Sequence, residues 1–111
     1  MRIVFWDLET RSAISLRDGG SYIYYGLVLG LSYVVRLNDL KTAQHLRARL
    51  GWVLRHQGGL AKPLHAELKE LFAISGLWVR NVGDRHQTKR QIQRMILRIL
   101  PRLKVHSRVG S

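Results

Sequence analysis

The sequence predicts a small α/β domain of the α+β kind, in which an N-terminal β-sheet of two to three strands is covered by about three amphipathic helices. Residues 1–36 contain runs of β-branched and aromatic residues, which are typical of buried strands. From Asn38 onward, apolar residues recur at every third or fourth position, which is the period of one helical face. The 111 residues suffice for one small core, and no repeat or linker interrupts them, so a single domain is expected.

The strands are predicted in the first third of the chain. Residues 2–6, "RIVFW", form a short apolar run that predicts the first strand. Residues 11–21, "RSAISLRDGGS", predict a turn or a short helix. Residues 22–37, "YIYYGLVLGLSYVVRL", predict one long strand or two short strands, with Gly26 and Gly30 as bends or bulges.

The first helix is predicted between a polar cap and a pair of glycines. Asn38 or Asp39 can accept a hydrogen bond from the amides of the first turn, and Gly58 and Gly59 follow the last periodic residue. The residues predicted to form its inner face are Leu40, Ala43, Leu46, Leu50, Val53 and Leu54.

Two further helices are predicted before a basic tail. The second begins near Pro63 and is expected to stop at Gly76, with a short strand or extended link over residues 77–81. The third covers about residues 87–100 and is expected to stop at Pro101, because proline disfavours helix in the residue before it. Their predicted inner faces contain Leu64, Leu68, Leu71 and Phe72 in the second helix and Ile92, Met95, Ile96 and Ile99 in the third. The remaining residues, 101–111, form the expected loose basic tail.

The charge of the chain is strongly positive and unevenly distributed. Nineteen Lys and Arg face seven Asp and Glu, which gives a net charge of +12, and residues 85–111 carry eight of the basic residues and no acidic one. Cationic surfaces of this kind meet phosphates, acidic proteins or acidic membranes. The sequence therefore predicts nucleic acid or a nucleoprotein complex as the partner. A helix face that is merely solvated by water and salt is the alternative.

The residue types and segments that the sequence lacks exclude some kinds of site and predict the location of the protein. It contains no Cys, which excludes disulfides and thiolate metal sites and makes the cytoplasm the expected compartment. The longest apolar stretch, residues 22–35, is short for a bilayer span, so no stable membrane insertion is expected. The amphipathic third helix leaves open a surface contact with an anionic membrane.

Two groups of basic residues are candidate nucleic-acid contacts. On the first predicted helix, cations and one aromatic residue recur at three- and four-residue steps, a pattern suited to phosphates and to stacking on a base. These residues are Lys41, His45, Arg49, Trp52 and His56. The third predicted helix and the residues after it repeat cations in the same way. The candidates there are Lys89, Arg90, Arg94, Arg98 and Arg102.

Asp7 and Glu9 follow the first predicted strand directly. Residues two apart on a strand share a side and lie about 6.6 Å apart, from a rise of ~3.3 Å per residue. Carboxylates so placed suit Mg²⁺ or Mn²⁺, and phosphodiester hydrolysis by two metals needs such ligands. The alternative is a polar strand end whose acids pair with Arg2, Arg11 or Arg17.

The stretch "VFWDLETRSAISLRDGGSYIYY" resembles the start of the 3′–5′ exonuclease domain in phage-type family A DNA polymerases, across about residues 3–35. Such domains belong to the DEDD exonuclease superfamily, with a ribonuclease H-like fold. The resemblance rests on residues 7–12, on Leu16 and Gly20, and on residues 22–24, and it implies that Asp7 and Glu9 are catalytic metal ligands. The family's third motif needs a late aspartate, and this chain has no acidic residue after Asp84.

These observations predict a small basic nucleic-acid-binding protein that resembles a truncated or degenerate 3′–5′ exonuclease. One alternative is a phage-type inhibitor that docks, without catalysis, on a host nucleoprotein machine such as a CRISPR effector complex. Another is an active Mg²⁺- or Mn²⁺-dependent nuclease that completes its site with Asp18, Asp39 or Asp84, or with a second subunit.

Overall fold

The structure, a computed structural model, describes residues 4–7, 12–15, 21–57 and 60–107, with side chains from 22 to 57 and from 60 to 103. Its helices are α1 (Ser21–Arg36), α2 (Leu40–His56), α3 (Lys62–Arg80) and α4 (Arg85–Ser107). Two short strands, β1 (Val4–Asp7) and β2 (Ser12–Ser15), precede them and pair antiparallel, with Val4 opposite Ser15.

The four helices form a bundle. Both α1 and α3 pack extensively against α2 and α4, so α1 lies diagonally opposite α3, and α2 lies opposite α4. The short connections between consecutive helices make neighbours antiparallel. Every core residue that the structure describes lies in a helix. The predicted α/β fold, with a sheet covered by three helices, is therefore wrong, because the packed part of the described chain is all-helical.

The largest correction concerns α1, which replaces the strands predicted over residues 22–37. Its buried residues follow a helical period and are Ile23, Tyr24, Leu27, Val28, Leu31, Val34 and Val35. Leu29 lies between two buried leucines and is 45% exposed. In a strand Leu27, Leu29 and Leu31 would share one face, so the burial pattern identifies a helix whose outer side is also apolar.

The end of α3 also differs from its prediction. The helix continues through Gly76 to Arg80, so the strand or link predicted over residues 77–81 is wrong. Asn81 ends it in the left-handed region, with φ of 57°. Gly76 lies inside the helix, and the Arg47 guanidinium of α2 occupies the place where the Cβ of any other residue would be. The glycine thus serves helix packing rather than helix termination.

Pro101 does not stop α4, which continues to Ser107. The predicted loose tail is therefore wrong for residues 101–107. Proline removes the bond to the carbonyl four residues earlier, which belongs to Leu97. Leu97 is 72% exposed and Pro101 is also exposed, so the helix loses this bond on its solvent-facing side. Leu103, buried beyond the proline, extends the core-facing stripe of the helix.

The start and inner face of α2 confirm their predictions. The Thr42 amide donates to Asp39 Oδ1 at 3.1 Å, and the Thr42 hydroxyl donates to Oδ2 at 2.6 Å. These bonds hold the pKa of the Asp39 carboxyl below its usual value. Ala43, Leu50 and Val53 are fully buried, as the helical period predicts. The cap residue and the amphipathic pattern thus predicted the start and the inner face of α2 correctly.

One tyrosine joins α1 to the end of α2. The Tyr24 hydroxyl donates to the carbonyl oxygens of Val53 at 3.3 Å and Gln57 at 3.4 Å. Burial raises the pKa of Tyr24 to about 12, so the phenol keeps its proton at neutral pH. The bond therefore caps part of the C-terminal turn of α2 across the helix interface.

The α2–α3 interface is tight at Gly51, so alanine is expected to have different effects on stability at Gly51 and at Gly26. A Cβ at Gly51 would lie 2.5 Å from Phe72 Cε2, whereas a Cβ at Gly26 would meet nothing within 4 Å. Both changes to alanine gain helix propensity, but Gly51→Ala also overpacks the interface at a cost of about 1–3 kcal/mol. Gly51→Ala is expected to be less stable than Gly26→Ala by that amount in urea unfolding. Equal stabilisation by both changes would contradict the contact.

Candidate nucleic-acid interface

Three arginines occupy the outer side of α4 and are called here the α4 arginine face: Arg90, Arg94 and Arg98. All three are exposed, while Ile92, Ile96 and Ile99 face the core. Successive arginines lie about 6 Å apart along the axis, from a rise of ~1.5 Å per residue. The face is therefore a cationic row about 12 Å long that turns by about 80° around the helix.

Three of the four described carboxylates have partners away from the α4 arginine face. Glu67 of α3 forms an ion pair with Arg102, while Asp39 and Asp84 accept amide protons at the starts of α2 and α4. Glu70 is exposed, and no described carboxylate forms an ion pair with any arginine of the row. Across the described side chains, fourteen Lys and Arg stand against four Asp and Glu. The three arginines of the row are thus not neutralised by an ion pair with a described carboxylate.

The other two predicted contacts on α4 turn towards neighbouring elements. Lys89 Nζ donates to the Arg36 carbonyl at 3.3 Å and to Asn38 Oδ1 at 2.9 Å, at the α1–α2 turn. Arg102 faces α3 through its pair with Glu67. The predicted group therefore splits into a central exposed row and two flanking residues that already have protein partners.

The predicted stripe on α2 is a single exposed face, called here the α2 stripe: Lys41, His45, Arg49, Trp52 and His56. The Trp52 ring stacks on the His56 ring, with centroids 4.3 Å apart and an angle of 18° between the planes. His56 Nδ1 lies 2.7 Å from the Trp52 carbonyl oxygen. Trp52 is 38% exposed, so this tryptophan is a surface residue that can contact a ligand.

The two cationic surfaces do not meet. Since α2 and α4 are diagonal in the bundle, their solvent-facing sides point in opposite directions. Sequence periodicity places each group on a helix face, but it does not give the order of helices around the core. One nucleic-acid segment cannot contact both surfaces without passing around the bundle.

The predicted metal ligands cannot be placed as a pair. Asp7 is the last residue of β1, while its side chain and the whole of Glu9 lie outside the described residues. The predicted Mg²⁺ or Mn²⁺ site therefore stays a prediction. Where the structure does describe side chains, it brings no three His, Asp or Glu residues together as metal ligands.

A cleft that the sequence did not reveal lies where the α1–α2 turn meets the start of α4. It has a volume of about 200 Å³ and is called here the Trp78 cleft: Asn38, Leu40, Trp78, Arg85, His86 and Lys89. Trp78 is fully buried, and its Nε1 has no hydrogen-bond partner among the described residues. An unsatisfied buried donor costs about 1–3 kcal/mol. The sequence feature that could have indicated this cleft is the grouping of Arg85, His86 and Lys89 within about one and a half helical turns.

Comparison with protein-family models, with curated proteins and with solved structures finds no match to this chain. Within the described ranges, none of the helices has the length and apolar character needed to cross a membrane.

Proposed function

We propose that this protein binds nucleic acid through the α4 arginine face. The observation that carries the proposal is the row of three exposed arginines without a described carboxylate partner. Arginine presents several donors in a planar fork and forms charge-assisted bonds with phosphate oxygens. A row of such groups on a rigid helix is suited to positioning a phosphate backbone.

The electrostatics of the helix support the same partner. Arg90 and Arg94 repel each other across one turn, as do Arg94 and Arg98, and each pair costs about 0.2–0.5 kcal/mol in an isolated helix. A polyanion relieves this repulsion and releases its own counterions on binding. The net charge of +12 adds long-range attraction towards any phosphate chain.

The α2 stripe gives the proposal a second contact surface. It combines cations with the exposed Trp52 ring, which can stack on a base or sugar. Since it faces away from the α4 arginine face, simultaneous use of both surfaces joins two nucleic-acid segments on one protein molecule. In this proposal the protein is a binding module with two separate contact surfaces.

A salt titration of the unmodified protein tests the proposal. Fluorescence anisotropy with labelled duplex DNA, single-stranded DNA and single-stranded RNA is measured from about 50 to about 200 mM salt. Three phosphate contacts predict a slope of log K against log salt of about −2.7 or steeper on duplex DNA. Binding that is insensitive to salt, or no binding at the lowest salt, contradicts the proposal.

A second candidate is docking on a nucleoprotein machine without affinity for naked nucleic acid. The outer side of α1 favours it, because Tyr22, Leu29 and Tyr33 are 41%, 45% and 58% exposed. The Arg36 guanidinium lies 5.2 Å from the centroid of the Tyr33 ring, which adds a cation to this apolar face. Exposed aromatic and aliphatic residues beside arginine are typical of protein interfaces. Absence of binding in the anisotropy experiment is the result this candidate predicts.

A further inference from the structure

We infer that the Trp78 cleft binds a phosphate group carried by a small molecule or by the end of a nucleic-acid strand. This inference is independent of the α4 arginine face, because the cleft is lined by different residues. Its starting point is the cationic lining of the cleft, where Arg85, His86 and Lys89 surround a space that has the Trp78 side chain on one side. A ligand in the cleft would lie beside the Trp78 side chain, so the indole resonance of Trp78 can report its binding.

The donors around the cleft exceed its acceptors. The Lys89 ammonium has three N–H donors, and two have protein partners, at the Arg36 carbonyl and Asn38 Oδ1. Arg85 Nε donates to the Trp78 carbonyl at 3.1 Å and Nη2 donates to the Val79 carbonyl at 3.5 Å, which leaves three of its five N–H donors. The ligand must therefore supply oxygen acceptors.

The charge of the lining selects an anion among such ligands. Arg85 and Lys89 are cationic, His86 adds a ring nitrogen, and no carboxylate lines the described cleft. The nearest acid in sequence, Asp84, is engaged with the amides of His86 at 2.9 Å and Gln87 at 3.3 Å. Water accepts hydrogen bonds but also brings two donors of its own. A phosphate dianion brings acceptors alone, which matches the surplus of donors.

Hydrogen bonds to neighbouring elements position the cationic groups of the cleft. Arg85 is tied to the last turn of α3, and Lys89 is tied to the α1–α2 turn, so three elements fix the positions of the cationic groups. The cleft volume of about 200 Å³ fits a phosphate group with part of the molecule that carries it. Leu40 provides an apolar wall beside the donors.

The test follows the indole N–H resonances of the full chain by ¹H–¹⁵N NMR. Trp78→Phe identifies the resonance of Trp78. The probes are inorganic phosphate, a nucleoside monophosphate, and one short oligonucleotide with and without a 5′-phosphate, each against sodium chloride at equal ionic strength. A saturable shift of the Trp78 resonance with a phosphate probe, absent with chloride, is expected. Saturation with inorganic phosphate or the mononucleotide assigns a small-molecule ligand. Saturation only with the 5′-phosphorylated strand assigns a strand end.

Charge-matched variants make the test specific to the cleft. Lys89→Gln is expected to weaken binding at least about tenfold, the change that corresponds to one charge-assisted hydrogen bond. Lys69→Gln removes the same charge from the outer side of α3 and is expected to leave the affinity unchanged. No saturable shift with any phosphate probe overturns the inference. Equal weakening by the two glutamine variants also overturns it, because bulk charge would then explain the effect.

Discussion

Leu31→Ala is expected to lower the free energy of unfolding by about 2–5 kcal/mol, whereas Leu29→Ala is expected to change it by less than about 0.5 kcal/mol. Leu31 is fully buried between α1 and the rest of the bundle, and its truncation leaves a cavity as well as losing apolar burial. Leu29 is 45% exposed on the outer side of the same helix. The two substitutions remove the same atoms, so the difference between them reports burial alone.

This pair of variants separates the helix from the strand that the sequence predicted. In a strand, residues 29 and 31 project to the same side, and both truncations would have similar effects. In α1 they differ by about 200° around the axis, from 3.6 residues per turn. Urea unfolding followed by far-ultraviolet circular dichroism measures both values on one scale. Equal losses would contradict the helical assignment of α1.

The fold prediction failed at α1 for a physical reason. Residues 22–35 are apolar on nearly all sides, so neither a period of two nor a period of 3.6 stands out. β-branched and aromatic residues then favour a strand by propensity, whereas burial in a bundle favours the helix. The length of the run, fourteen residues, exceeds an ordinary strand and was the better guide.

The later helices were predictable where polar and apolar residues alternate clearly. The Asp39 cap and the inner faces of α2 and α4 follow from spacing alone. Their ends were not predictable, because Gly76 and Pro101 are local helix breakers that packing overrides. At position 76 the Arg47 guanidinium leaves no room for a side chain, so only glycine fits there. After Pro101, the burial of Leu103 favours continuation of the helix.

The candidate site was predictable only as separate helix faces. Spacing correctly placed Arg90, Arg94 and Arg98 on one exposed side of α4. It did not show that Lys89 and Arg102 bond to neighbouring elements, since those partners are 51 and 35 positions away at Asn38 and Glu67. The Trp78 cleft depends in the same way on contacts between three elements. Such contacts are set by helix order, which periodicity does not specify.

Replacing the α4 arginine face is expected to have the largest effect on binding. The triple change Arg90→Ala, Arg94→Ala and Arg98→Ala removes three phosphate contacts, so the salt slope on duplex DNA should become less steep by about 2.7. At about 0.1 M salt this corresponds to a loss in affinity on the order of 10²- to 10³-fold. The fold should persist, because the change removes two repulsive pairs and introduces the residue with the highest helix propensity.

A second triple variant separates the arginine row from net charge. Lys62→Ala, Lys69→Ala and Arg80→Ala remove three exposed cations from the outer side of α3, where they lie about 10 and about 16 Å apart rather than in a close row. Both variants lower the net charge by the same three units, so a partner attracted only by overall charge would lose affinity equally for each. The proposed function requires the α4 variant to lose far more, with both variants retaining the thermal unfolding midpoint of the unmodified protein. Equal losses would remove the α4 arginine face from the binding site, because the position of the charges would then make no difference.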